Sequence, residues 1–445
     1  MATCPPPPRR ARSRRGILLL TLLGCIGRAG AQGLEIELVR EFTPGQSSSS
    51  FDITAGKTRA GESIVYVATT EGTPGQRRLW RSDGTAVGTH RLGDAIVHTF
   101  LPMQDGGVYA TATAPDTGLA LYRSDGDAGL ELVWDPVAGP ADGVRSELLR
   151  LGSDVVVVPL DPSFPGLWSA GWTHAPSLVS SMSGVRRSIG SNDGIILGSS
   201  TAQPAWVFGA GAGTGRFLLP SPVDPPMGTS PPHVVGAAGP ALCGKALVPD
   251  QPSGIVFCAD AERQFFRRVI PSSTGVPLTV PDNVQFESTG SRLAFIRGPG
   301  QLWVSDGSHA GTYAVADDVG SQCFATDGAE RLFYTWSHDL RMATITPGGA
   351  RNLATMPSSY SVCEPKAATR WRSRSAIAVG GLVLTSGAAN DTQAWWNFTD
   401  LPLQFSAPIA ASRDWLYFAG TRSDVGTELF RVRWPDLLES GFEDE

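Results

Sequence analysis

The feature that most constrains this chain is a phrase it writes more than once. Leu79 to Thr89 reads LWRSDGTAVGT, Leu302 to Thr312 reads LWVSDGSHAGT, and Leu121 to Gly129 reads LYRSDGDAG. Upstream of each lies a β-rich run and a turn rich in Gly, Pro or Asp: SIVYVATTEGTPGQ from Ser63, SRLAFIRGPG from Ser291 and GGVYATATAPDTG from Gly106. The unit is thus a strand, a turn, and a second strand opening on Leu and an aromatic. Weaker copies start at Asp154, Gly194, Arg331, Gly381 and Trp415, and the loosest is ALCGKALVPDQPSGIVFCAD from Ala241.

The first runs begin near Val65, Val108, Val155, Ile195, Leu242, Leu293, Leu332, Leu382 and Leu416, 34 to 51 residues apart with a mean of about 44. A period of this length, with turn residues between short β runs, is the signature of a propeller or a related repeat array. Helical solenoids share the period but need amphipathic helices. With 52 Gly and 34 Pro, stretches of helix length free of both are scarce, and apolar residues alternate or run in short blocks. The expectation is an all-β fold, a closed β-propeller of eight or nine blades. LEIELVREFTPG, from Leu34 to Gly45, reads as an outer strand displaced to the N-terminus, whereas ELFRVRW, from Glu428 to Trp434, lacks one after it. Residues 34–42 are therefore expected to pair with 428–434, so that the N-terminal strand completes the last blade and removes two exposed edges.

The phrase has a physical reading. Leu and the aromatic point to opposite faces of one strand, and a blade sheet is covered on both faces. Asp-Gly then turns the chain, Gly by accepting positive φ and Asp by offering its carboxylate to backbone N–H groups. Gly-Thr starts the outer strand, where a β-branched residue suits the pleat. The calcium-loop alternative lacks the further acids and distal Glu of a standard loop. The pattern Leu-Trp-x-Ser-Asp-Gly-Thr-x-x-Gly-Thr, with a LYFA-like strand such as Leu416 to Ala419, resembles the repeats of exported bacterial β-propeller-type proteins. That resemblance spans nearly the whole chain after the leader, is tight at Leu79–Thr89 and Leu302–Thr312, and transfers no catalytic residue.

The first residues read as a targeting segment. RRARSRRG (Arg9 to Gly16) is basic, ILLLTLLGCIG (Ile17 to Gly27) is apolar, and AGA (Ala29 to Ala31) offers small residues for cleavage before Gln32. That order describes a signal peptide over 1–31, and the apolar run is too short for a membrane-spanning helix of about 20 residues. SRRGILL resembles a twin-arginine signal, and LLGC, ending at Cys25, resembles a lipoprotein box. A secreted or periplasmic protein is expected, with a lipoprotein anchored to the outer membrane through Cys25 as the alternative. Residues 32–435 form the single propeller domain and 436–445 an acidic tail.

Without the six leader arginines the chain keeps 30 Lys and Arg against 42 acids, which argues against nucleic acid as a partner. Cys243, Cys258, Cys323 and Cys363 then remain, and an even number in an exported chain reads as disulfides. Cys243 with Cys258 brackets a strand, turn and strand, leaving Cys323 with Cys363.

No metal, cofactor, nucleophile-elbow or phosphate-loop signature occurs. The six His (His90, His98, His174, His233, His309, His338) are scattered singly, and Trp80, Trp168, Trp206 and Trp303 occupy the repeat's own aromatic position. Trp371, Trp395 and Trp396 are less accounted for, and ATRWRSR (Ala368 to Arg374) is a local basic and aromatic cluster. Trp371, Arg372, Arg374, Trp395 and Trp396 are therefore the candidate binding residues, the alternative for ATRWRSR being a plain solvated loop. Asn390 and Asn397 stand in Asn-x-Thr sequons. The expected function is a non-catalytic monomer presenting loops to a protein or glycan. The alternative is an extracytoplasmic propeller enzyme, a polysaccharide lyase or glycoside hydrolase, with its site at one mouth of the channel.

Overall fold

Ser63–Thr70 is buried along seven of its eight residues, and Arg77–Ser82 along its last four. A strand buried on both faces needs a layer on either side, and the chain supplies it by repetition. The structure, a computed structural model, describes residues 36–433 with interruptions, chiefly 45–49, 181–184, 191–194, 201–205, 210–215, 221–232, 248–253, 260–264, 357–364 and 396–402; in the strands from 185 to 238 it describes the backbone. The leader, Cys25 and the acidic tail lie outside the described residues.

Among the described residues the protein is all-β, with no α-helix and a single 3-10 turn at Ala389–Asp391. The described residues form nine sheets that follow one another along the chain. In the first, Phe51–Lys57, Ser63–Thr70, Arg77–Ser82 and His90–Arg91 lie in chain order, each antiparallel to the one before. The remaining sheets open on Ile96–Pro102, Leu149–Leu151, Val185–Gly190, His233–Ala238, Phe286–Ser288, Phe324–Thr326, Ala367–Trp371 and Leu403–Ala411. The loosest copy of the repeat becomes the irregular fifth sheet, which adds Leu219–Pro220 in parallel beside Phe265–Arg268 and Thr279–Val280 beside Gly254–Ala259.

The ninth sheet has three strands of its own, Leu403–Ala411, Trp415–Arg422 and Gly426–Arg433, and its fourth place is taken by Ile36–Arg40. Ile36 lies opposite Val432 and Glu37 opposite Arg431, so the pairing expected over 34–42 and 428–434 falls on 36–40 and 429–432. The first strand of the ninth sheet also touches the first strand of the first. Between them Val39, Phe42, Ile53, Trp80, Tyr417 and Leu429 share one apolar cluster, each buried side chain contributing on the order of 1.5–3 kcal/mol. Comparable clusters fill the junctions of the first with the second sheet and of the sixth with the seventh.

Three successive junctions share one polar contact. The residue after the repeat's Leu-aromatic pair is Arg81, Arg123 and Arg431 in the first, second and ninth sheets. Arg81 Nη1 donates to the Gly126 carbonyl at 3.5 Å and Arg123 Nη1 to the Gly171 carbonyl at 3.3 Å, each on the next sheet's turn. Arg431 Nη1 donates likewise to the Gly84 carbonyl of the first sheet. Each guanidinium is braced: Arg81 by Asp127, Arg123 by Glu131 with the Trp172 ring at 4.8 Å, and Arg431 by Glu37 with the Trp415 ring at 3.6 Å.

Cys243 and Cys258 are directly opposed in register on neighbouring strands and are disulfide-bonded, with Cα atoms 4.0 Å apart, just short of the usual 4.4–6.8 Å spacing. Cys323 is also disulfide-bonded; its expected partner, Cys363, lies outside the described residues.

One copy of the repeat is displaced from the reading above. In the eighth sheet Leu382–Thr385 is the third strand, after Ala367–Trp371 and Arg374–Ala378, whereas its sequence reads as a second strand. TSGAANDT (Thr385 to Thr392) is the turn of this sheet. Thr385 Oγ1 lies 2.8 Å from Thr392 Oγ1 and accepts the Gly387 N–H at 2.9 Å. The segment expected as a solvated loop, ATRWRSR, is therefore a tight β-hairpin.

Candidate functional site

The Ser-Asp-Gly turns close on themselves. Ser82 Oγ bonds Thr89 Oγ1 at 2.6 Å and accepts the Gly84 N–H at 3.0 Å, while Asp83 Oδ1 accepts the Thr85 N–H at 2.8 Å. The second copy repeats this: Ser305 to Thr312 at 2.7 Å, Gly307 N to Ser305 at 3.1 Å, Ser308 N to Asp306 at 2.9 Å. Gly88 and Gly311 are fixed by the carboxylates, because a Cβ there meets Asp83 at 2.0 Å and Asp306 at 1.9 Å. These carboxylates are occupied in building turns, as their sequence context implies.

The turns lie at the same end of the sheets as the hairpins that end the first strands. Arg59, just beyond Phe51–Lys57, donates its N–H to the Asp125 carbonyl of the Ser124-Asp125-Gly126 turn at 2.8 Å. The Lys57 carbonyl accepts the Gly107 N–H at 2.7 Å and the Tyr66 hydroxyl at 3.1 Å, which fixes the ends of the first and second sheets against each other. Gly56 is required there, since a Cβ at this position meets the Tyr66 ring at 2.6 Å.

A cleft of roughly 750 Å³ opens among these strand ends. Phe100, Leu101, Pro102 and Met103 form an apolar wall, and Thr54, Ser63, Gln104 and Ser412 supply hydroxyl and amide groups. Its charged residues are Lys57, exposed at the end of its strand, and Arg150. Arg150 stands on the short strand Leu149–Leu151, donates from Nη2 to the Pro102 carbonyl, and is pulled below the usual arginine range by burial. Ala411 and Ser412, from the end of the ninth sheet's first strand, complete the described lining. The cleft thus gathers residues from the first, second, third and ninth sheets, astride the junction between chain start and chain end.

The candidates read from sequence fall elsewhere. Trp371 is fully buried as the last residue of its strand, so its indole packs inside the sheet instead of presenting a stacking face. Arg374 is also buried, 4% exposed, and pairs with Asp391 of the neighbouring turn. Arg372 stands at the tip of the hairpin with φ of 52° and donates to Asp414 Oδ1 at 2.8 Å. Trp395 ends the strand Thr392–Trp395; its side chain and Trp396 lie outside what is described. Hairpin geometry explains the outcome: in Trp-Arg-Ser-Arg the two flanking residues, Trp371 and Arg374, form a cross-strand pair, and both turn inward.

Among the histidines, His309 is exposed in its turn, and His174 Nε2 lies 3.1 Å from Asp154 Oδ2. The Ala175 carbonyl and Asp154 raise its pKa against the opposing effect of burial. Among the described residues no group of three His, Cys, Asp or Glu is placed to hold a metal ion. Lys57 and Arg150 escape sequence reading because they are 93 residues apart on first strands, outside the repeated phrase.

No protein-family model matches the sequence, and no curated protein matches it. Among solved structures the chain is similar to the Dos1 propeller, with a TM-score of 0.43 and 10% identity over 89% of this chain and 95% of that one. It is similar to an oligogalacturonate lyase from Vibrio parahaemolyticus, with a TM-score of 0.40 and 8% identity over 91% of this chain and 98% of that one. A prolyl endopeptidase gives a TM-score of 0.42 and 13% identity over 87% of this chain, which spans 55% of that protein.

Proposed function

We propose that the chain is an exported, non-catalytic closed propeller of nine blades that binds its ligand at the mouth bearing the Ser-Asp-Gly turns. The observation that carries this reading is the cleft of roughly 750 Å³ at the ends of the first strands, a volume in the range of small-molecule sites. Its described charged groups are cations, and its remaining polar groups are hydroxyls and an amide, a set suited to holding a ligand. Closure is supported by the Ile36–Arg40 strand in the ninth sheet and by the arginine contact common to three junctions. Export rests on the leader and its cut site before Gln32.

The test is binding against turnover on one protein. The exported chain is sequenced from its N-terminus and applied to an array of glycans and surface proteins, alongside Thr54→Trp, which fills the cleft from an exposed position. The expected result is a start at Gln32, retention of a ligand by the parent and its loss in Thr54→Trp, with no product released from the retained ligand. Release of cleaved product overturns the non-catalytic reading. Retention unaffected by Thr54→Trp overturns the assignment to this mouth.

A further inference from the structure

Resting on the reading of that mouth as the ligand-binding face, we propose that the cleft takes a carboxylate-bearing oligosaccharide, its acid group held between Lys57 and Arg150. The two residues line one cleft, and no carboxylate is among its described lining residues. Arg150, whose Nη2 is given to the Pro102 carbonyl, contributes its positive charge, and the Lys57 ammonium adds a compact charge with three donors beside it. Partial burial strengthens such a pairing, because charge is less screened away from bulk water.

The charge balance around the cleft points the same way. Among first-strand residues whose side chains are described, Lys57 and Arg150 line the cleft, Arg370 lies 3.8 Å from Asp327, and of the acids Asp52 and Glu287 the former pairs with Arg77 on its own sheet. The whole chain is acidic, with 42 Asp and Glu against 36 Lys and Arg. Against that acidic background the cleft presents two cations and no described acid, and a low-dielectric cleft focuses such a field on an incoming anion. The uncharged lining suits a sugar: Thr54, Ser63, Ser412 and Gln104 match ring hydroxyls, and Phe100 offers an apolar face for ring C–H groups.

Isothermal titration of the full exported chain with trigalacturonate tests this, with cellotriose as the neutral trisaccharide and hexaglutamate as an acidic peptide. Saturable binding of trigalacturonate is expected, weakening as salt rises from about 50 to about 200 mM. Lys57→Gln and Arg150→Gln are expected to lower the affinity about tenfold or more, the scale of a lost charged hydrogen bond, and Lys57→Arg to restore most of it. Arg150 also bonds the Pro102 carbonyl, so Lys57→Gln, at an exposed residue, carries the test if Arg150→Gln fails to fold. Absence of trigalacturonate binding, or equal binding in Lys57→Gln, overturns the proposal. Equal binding of cellotriose, lost in Thr54→Trp, overturns it while leaving the mouth as the ligand site. Tighter binding of hexaglutamate overturns it in favour of an acidic peptide. Trigalacturonate binding that protects amides away from 54–57 and 100–104 from hydrogen exchange overturns both readings.

Discussion

Glu428 offers the sharpest test of the junction between the two ends of the chain. Its side chain is fully buried, Oε2 accepting the Phe42 N–H at 2.8 Å and Oε1 the Thr43 N–H at 3.3 Å. Burial raises its pKa from 4.5 to about 7, the two backbone donors opposing the shift and Glu41 adding to it. The folded state therefore holds this proton more tightly than the unfolded chain does. The stabilisation is fully present below about pH 4.5, falls as pH rises, and is gone above about pH 7. At about 1.4 kcal/mol per pKa unit, the shift corresponds to a loss of about 3 kcal/mol across that window. In Glu428→Gln the amide oxygen still accepts from the backbone and nothing ionises. Urea denaturation at intervals between pH 4.5 and 8 is expected to show the parent losing about 3 kcal/mol relative to the variant. Hydrogen exchange at Phe42 and Thr43 should quicken over the same range. A parent and variant with parallel pH profiles would refute the reasoning.

Other features give independent tests. Gly88→Ala or Gly311→Ala drives a methyl into the Asp83 or Asp306 carboxylate and is expected to cost about 1–3 kcal/mol through the lost turn bonds; an unchanged melting temperature would remove the carboxylate from that space. Cys243→Ser with Cys258→Ser opens a bridge across a separation of 15 residues and is expected to cost about 2–3 kcal/mol in urea denaturation. Non-reducing peptide mapping is expected to find Cys323 joined to Cys363, and any other partner refutes that pairing. Deleting residues 36–42 uncovers Trp80, Tyr417 and Leu429 and is expected to lower the melting temperature of the whole domain by removing about 3–6 kcal/mol with Val39 and Phe42 alone. A melting temperature that does not move would refute closure.

How much the sequence discloses depends on how local the chemistry is. Ser82, Asp83, Gly84 and Thr89 build their turn within eight residues, so the phrase is readable wherever it recurs. The eighth sheet shows the limit. Thr385 and Thr392 keep the hydroxyl pair, but Ser386 stands where the carboxylate belongs and Asp391 where the second Gly belongs. With that landmark gone, the register slips by one strand, and a buried hairpin end, Trp371, reads as an exposed loop residue. The cleft is a harder case, because first strands such as Leu149–Leu151 are short and carry no shared phrase. What unites Lys57 with Arg150 is the order of sheets in space. The Cys243–Cys258 bridge was legible because its two strands are neighbours in sequence.

The antiparallel pairing of Ile36–Arg40 with Gly426–Arg433 has a mechanical meaning. Ile36 lies beside Val432, so both polypeptide ends leave the domain from the same end of the same strand pair. Tension between them acts as a zipper: Ile36 parts from Val432 first, then Glu37 from Arg431, then Leu38 from Phe430. The bonds are loaded one after another, and none shares the load with the rest. Phe42 and Thr43, clasped by Glu428, lie at the far end of the track and are the last to yield. An exported chain held at one end and pulled at the other is expected to open first at its own seam, and until that seam parts the remaining sheets carry none of the tension.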